Sequence, residues 1–153
     1  MAEPIYFFTK NDPYYELSNF SPFGFEEEGG YWPTVEHYFQ AQKFEDTAYR
    51  ERIRKAYSPK HAKSLGQSRA LPLRSDWEDV KEHVMLYALR RKFAHPRLKT
   101  LLLETGERML IENSPFDSYW GCGPHGTGMN RLGHLLMVVR EELRNDTITE
   151  AER

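Results

Sequence analysis

Ser75-Asp76-Trp77-Glu78-Asp79-Val80-Lys81-Glu82-His83-Val84-Met85-Leu86-Tyr87-Ala88-Leu89-Arg90-Arg91-Lys92-Phe93 carries the strongest helical signal in the chain. Ser75, followed three residues later by Glu78, has the form of a capping box, in which side chains satisfy the unpaired backbone donors of a helix start. Trp77, Val80, Val84 and Ala88 recur at helical spacing, and Leu86, Leu89 and Phe93 widen the apolar face. That breadth predicts a central helix, ending near His95-Pro96.

Further helices extend the reading on both sides. C-terminally, a helix over Leu98 to Leu103 stops at Thr105-Gly106, and Met109 to Ile111 reads as a short strand. Asn130 stands where it can cap a last helix whose Leu132, Leu135, Leu136 and Val139 face inward, with a frayed tail expected from Asn145. N-terminally, Ser58-Pro59 has the order of a helix start, and Gly66 is the expected stop. Asp46 caps a helix through Tyr49, Ile53 and Ala56. Thr34, after Pro33 and with Glu36 in the first turn, caps a helix from about Val35 to Phe44. Ile5 to Thr9 reads as a strand, Asn11-Asp12-Pro13 and Gly29-Gly30 as turns, and Leu17 to Phe25 as irregular. The expected fold class is mainly α with a few short β-strands.

The 153 residues fit one domain, and no repeat, low-complexity tract or Pro/Gly/Ser linker is long enough to divide them, so a single domain over 1–153 is expected. An apolar fraction of 39% with 29% charged residues belongs to a soluble globular chain. Aromatics reach 14%; they can build a core or line a pocket that stacks flat rings, and composition does not separate the two uses. A formal net charge of -2 argues against a net-basic nucleic-acid glove while leaving room for a local basic patch. The one cysteine, Cys122, permits no intramolecular disulfide and no cysteine-based zinc site, which suits a reducing compartment. No apolar run has the length of a membrane span, and Met1 to Lys10 lacks the pattern of a signal peptide, so a cytoplasmic protein with no membrane partner is expected.

Three features could carry chemistry. Glu36, Gln40 and Lys43 stand at i, i+4 and i+7 and share one helical face, as either a polar site or an ordinary solvated face. Asp117, followed by Tyr119-Trp120-Gly121-Cys122-Gly123, lies in a long Gly-rich loop from Asn113 to Met129. Such glycines let backbone approach a ligand, and Asp117 can equally close a local turn. Trp77 is either core or a stacking platform. The six histidines show no metal-binding spacing, Cys122 has no base partner in sequence, and no P-loop or dinucleotide fingerprint is present. No metal and no cofactor are expected.

Taken together, these stretches resemble a known family. Leu17-Ser18-Asn19-Phe20-Ser21-Pro22, then Trp32-Pro33-Thr34-Val35-Glu36-His37-Tyr38-Phe39-Gln40-Ala41-Gln42-Lys43-Phe44, are similar to the opening of the NADAR (YbiA-like) N-glycosidase family. Arg91-Lys92-Phe93, Thr105-Gly106, Leu110-Ile111-Glu112, Asp117-x-x-Trp120-Gly121-x-Gly123 and Gly128-x-Asn130-x-Leu132-Gly133-x-Leu135-Leu136-Met137 follow in the family's order. The resemblance spans a core of about 5–143 and implies the YbiA-like helical fold and hydrolysis of a ribose–base N-glycosidic bond. It implies that Glu36, Trp77 and Asp117 are needed for activity, and that Lys43 attacks the ribose C1 to form a Schiff base. It places Asn19, Ser21, Trp120, Gly121 and Gly123 in segments lining the ligand pocket.

Two substrate classes come with the family: early riboflavin-pathway intermediates, with a pyrimidine-like ring on ribose phosphate, and ADP-ribose attached to guanine bases of nucleic acid. Arg50, Arg52, Arg54, Lys55, Lys60, Lys63, Arg69 and Arg74 form a basic middle segment that could track phosphates or could be a solvated face. The reading leans slightly toward ADP-ribosylated guanine. A module that binds ADP-ribose without cleaving it has no need of Glu36, Lys43 and Asp117 together, and a structural helical adaptor leaves the Asp117-to-Gly123 segment unexplained.

Overall fold

The computed structural model describes residues 2–151, with side chains described to residue 147. The chain forms two compact units, one of Met1–Ser18 with Phe93–Arg153 and one of Asn19–Lys92. Both boundaries fall in continuous sequence without a Pro/Gly/Ser linker, so composition does not mark them. Six α-helices and four three-residue strands among the described residues give the mainly helical fold that was expected.

The unit Asn19–Lys92 opens with a hairpin of β2 (Phe25–Glu27) and β3 (Gly30–Trp32), with Phe25 opposite Trp32. Its two-residue turn is Glu28-Gly29, at φ 55 and 77, the pair of positive angles that matches the twist of the strands. The turn therefore sits one residue before the expected Gly29-Gly30, and Gly30 starts β3 instead. Helix α1 (Val35–Ala41) follows, every residue of it buried. Thr34 caps it as expected, its Oγ1 accepting from the His37 N–H at 3.1 Å. The helix stops three residues short of the expected Phe44, through a turn at Gln42 and Lys43.

Around α1 pack α2 (Thr47–Arg54), α3 (Pro59–Gln67) and α4 (Trp77–Lys92). Asp46 and Ser58 cap α2 and α3 as expected, accepting from Tyr49 N–H at 2.8 Å and His61 N–H at 3.0 Å. Gly66 does not stop α3. It lies inside the helix, where a Cβ would sit 1.9 Å from the Gln40 Oε1, so close packing and not a left-handed cap demands glycine. Ser75 is likewise not the cap of α4: the first helical bond runs from Val80 N–H to the Asp76 carbonyl, and Ser75 stands one residue outside. The buried stripe of α4 is Trp77, Met85, Ala88, Leu89 and Lys92, with Val80, Val84 and Leu86 half-buried.

In the other unit, β1 (Ile5–Phe7) pairs in parallel with β4 (Leu110–Glu112), Ile5 opposite Leu110. Helix α5 (Pro96–Glu104) ends at Thr105-Gly106, with Gly106 at φ 63. Helix α6 (Arg131–Ala151) buries Leu132, Leu135, Leu136 and Val139 as expected and runs on past Asn145; residues 152–153 of the expected tail lie outside the described residues. Asn130 does not cap α6 with its side chain. It sits at φ 50, where its Oδ1 accepts from Glu112 N–H at 3.0 Å and its Nδ2 donates to the Leu110 carbonyl at 2.9 Å. The first amides of α6 are met instead by loop carbonyls, Arg131 N–H on Tyr119 and Leu132 N–H on Trp120.

Candidate active site

The residues singled out from sequence fall in both units. Asn19, Ser21, Glu36, Lys43 and Trp77 belong to Asn19–Lys92; Asp117, Trp120, Gly121 and Gly123 belong to the other unit.

In the first group, α1 does the positioning. Glu36 comes in its first turn, where the helix dipole favours a carboxylate, yet only 6% of the residue is exposed. Its backbone N–H donates to the Asn19 carbonyl at 3.2 Å, and its Oε1 accepts from Gln40 Nε2 at 2.9 Å. The Glu36–Gln40 half of the expected face is therefore a buried polar pair and not a solvated surface. Lys43 leaves that face, because α1 ends at Ala41. Its Nζ lies 5.9 Å from the centroid of the Phe39 ring, within cation–π range. Phe39 in turn packs on Trp77, ring centroids 5.1 Å apart. Trp77 is a core residue at 5% exposure, one aromatic ring removed from the lysine. The Lys43 carbonyl accepts from Arg74 N–H at 2.8 Å, and the next residue, Phe44, begins the wall of a cavity of about 580 Å³ formed by Phe44–Asp46 and Leu71–Ser75.

Asn19 and Ser21 are buried. Asn19 Nδ2 reaches Met85 Sδ at 3.5 Å, and its Oδ1 is buried with no hydrogen-bond partner. Ser21 Oγ accepts from Lys92 Nζ at 3.0 Å. The sequence places Gln40 on the Glu36 face, as found, but gives Lys92 no part in the site. Lys92 reads as an ordinary cation at a helix end, yet it is 1% exposed; its signal is the i+7 spacing from Met85 and the i+4 spacing from Ala88 along the buried stripe.

In the second group, Asp117 closes a local turn, its Oδ1 accepting from Tyr119 N–H at 2.9 Å and Trp120 N–H at 2.8 Å. Those two bonds employ one carboxylate oxygen. Trp120 is half-buried and packs edge-on to Tyr119 at 4.9 Å. A Cβ on Gly121 would sit 3.0 Å from the carbonyl oxygens of Asp117 and Glu112. Gly123, at φ 72, lines a cavity of about 420 Å³ with Phe8, Asn113, Pro115, Cys122, Pro124 and Gly126. Gly121 thus has a packing reason, against the loop and the end of β4, and Gly123 a backbone one.

With this geometry in hand, likeness to known proteins becomes informative. The NADAR domain family matches residues 6–144. The chain is 51% identical to the N-glycosidase YbiA of Escherichia coli over 140 residues, covering 91% of this chain and 88% of that protein. It is 48% identical to the Nostoc punctiforme N-glycosidase Npun_R5314, covering 92% and 93%. A riboflavin biosynthesis protein of Vibrio vulnificus is 40% identical over 94% of this chain, which spans 40% of that longer protein. The NMR structure of Escherichia coli YbiA superposes with a TM-score of 0.87 at 49% identity, covering 95% of this chain and 88% of that one. The chain belongs to the NADAR domain family.

Proposed function

We propose that this N-glycosidase hydrolyses a ribose–base bond through an imine on Lys43, with Glu36 and Asp117 as the carboxylates that steady charge and move protons, and with an early riboflavin-pathway intermediate as its substrate. The observation that carries the reading is the Lys43–Phe39–Trp77 stack at the end of a helix whose Glu36 is buried and hydrogen-bonded. Attack of a neutral amine at the ribose C1 forms the C–N bond to lysine as the bond to the base breaks. The bonding pair leaves on the base, which takes a proton from an acid. Loss of a proton from nitrogen and opening of the sugar ring give the imine; water then adds at C1 and returns free lysine and free sugar. A carboxylate near the sugar stabilises the positive charge that develops as the base departs.

The substrate preference departs from the sequence-based lean toward ADP-ribosylated guanine, for two reasons. Of the eight basic residues in the middle segment, Arg50, Arg54, Lys55 and Arg74 are in ion pairs with Glu28, Glu51, Glu51 and Asp76. Paired cations release fewer counterions to a phosphate backbone. In addition, the Vibrio vulnificus relative bears a riboflavin biosynthesis name. The nucleic-acid reading keeps one specific support, the cations of Arg52, Lys60, Lys63 and Arg69, which stand outside ion pairs among the described residues.

Side-by-side hydrolysis of a ribosylamino-pyrimidine phosphate and of ADP-ribosylated guanine, with products identified by mass, tests the preference; faster release of guanine reverses it. Lys43→Ala should lose about 1,000-fold or more in turnover, and borohydride should trap a sugar on Lys43 of the parent enzyme. Full turnover by Lys43→Ala rules out the imine.

A further inference from the structure

We infer that Gln40 is a positioning residue for Glu36, and that Gly66 exists to seat it. The inference rests on the proposed role of Glu36 and deepens it.

Gln40 is buried in α1, one turn after Glu36, and its Nε2 donates to Glu36 Oε1 at 2.9 Å. Other polar side chains of α1 have distinct anchors: His37 bonds Thr34 and Ala56. The far end of the Gln40 amide, Oε1, is buried with no hydrogen-bond partner. It lies against α3, where a Cβ at Gly66 would come within 1.9 Å of Oε1, 2.7 Å of the Gln40 Cδ and 2.9 Å of its Cβ. A helix-interior glycine costs stability relative to alanine, and a buried carbonyl without a donor costs more. Both costs fall on one contact, and that contact wedges the amide between α3 and the carboxylate. A side chain held on one side by backbone and on the other by a hydrogen bond has one orientation, so Glu36 keeps one orientation too.

The consequence is kinetic. Gln40→Met deletes the donor at similar length and should lower kcat about 100-fold, the scale of an ångström-sized misplacement, with KM little changed. Gly66→Ala drives the amide off its seat and should act in the same direction. Because both act through one bond, the double variant should be no slower than the slower single variant, in place of the product of the two losses. Side-chain amide resonances supply a readout that needs no substrate: the Gln40 NH2 signal should shift in Glu36→Gln and in Gly66→Ala, with thermal melts confirming that each variant folds.

Multiplicative losses in the double variant, or a loss carried by KM alone, overturn the inference, as does a Gln40 signal indifferent to Glu36→Gln. If any variant fails to fold, the resonance shift in Glu36→Gln decides by itself. Unchanged kcat in Glu36→Gln sinks the role proposed for Glu36 and leaves the Gln40–Gly66 contact standing, so the two failures are distinguishable.

Discussion

His37 sits beside Glu36 on α1 but faces a different task. Its Nε2 donates to the Ala56 carbonyl at 3.0 Å, which leaves Nδ1 to accept from Thr34 Oγ1 at 2.8 Å. Burial pushes the imidazole below its ordinary value of 6.5, against a smaller upward pull from the Ala56 bond. The unfolded chain therefore takes up the His37 proton first as pH falls. Stability from this residue is intact above about 6.5 and declines as pH drops below it, through the lowered native value. Urea midpoints should fall more steeply below pH 6.5 in the parent protein than in His37→Gln, which lacks the titration; parallel curves would remove His37 from the acid response. Trp77 poses a separate residue-scale question, because an indole buried against Phe39 supports the core whatever else it does. Trp77→Ala should cost about 3–5 kcal/mol, so its inactivity alone carries little information. Trp77→Phe keeps an aromatic ring and should lose less than about 2 kcal/mol, with turnover reduced only in step. A folded Trp77→Phe that has lost all turnover would assign the indole itself to the substrate.

Among the elements, α6 depends on a device that local patterns do not reveal. Its opening amides are met by the Tyr119 and Trp120 carbonyls, which frees the Asn130 side chain to bond both Glu112 N–H and the Leu110 carbonyl as a neighbouring strand would. Asn130→Ala loses two buried hydrogen bonds and puts alanine at φ 50, where asparagine is tolerated better. Denaturant unfolding should show a loss of about 2–4 kcal/mol; less than about 1 kcal/mol would mean the clamp is slack. The same element shows where sequence is legible. Thr34, Asp46 and Ser58 cap the helices that they precede, because each bonds an amide three residues away in its own segment. Asn130 and Gly66 were misread because their reasons lie across the fold, on β4 and on Gln40. Lys43 was placed on the Glu36 face because apolar periodicity runs through Phe44, whereas α1 has already turned out of the helix at Gln42. At the candidate site, motif order identified the family and the residue types; it could not distinguish a buried polar pair from a solvated one. The Glu36–Gln40 face was left open between the two for that reason, and Lys92 was passed over.

At the scale of the whole molecule, a net charge of -2 is too small to repel a phosphorylated substrate strongly, so local cations decide what the protein tolerates. The helices of the basic segment place acids beside bases: Glu51 binds both Arg54 and Lys55 and is pulled down to about 2 chiefly by its Arg54 hydrogen bonds. Arg50 reaches Glu28 on the hairpin at 2.5 Å, and Arg74 holds Asp76 through two nitrogens. Exposed pairs of this kind add little stability, but they occupy the cations. If Arg52, Lys60, Lys63 and Arg69 all engaged the backbone of a single strand, log K would fall against log salt with a slope of about -3. A small ribosyl phosphate carries no condensed counterion atmosphere, so its binding should depend much more weakly on salt. Titrating an oligonucleotide and a ribosylamino-pyrimidine phosphate across the same salt series therefore separates the substrate classes without turnover. Weak oligonucleotide binding with a shallow slope is the expected result. A slope near -3 would show that the four remaining cations track phosphates, and would return the nucleic-acid substrate to first place.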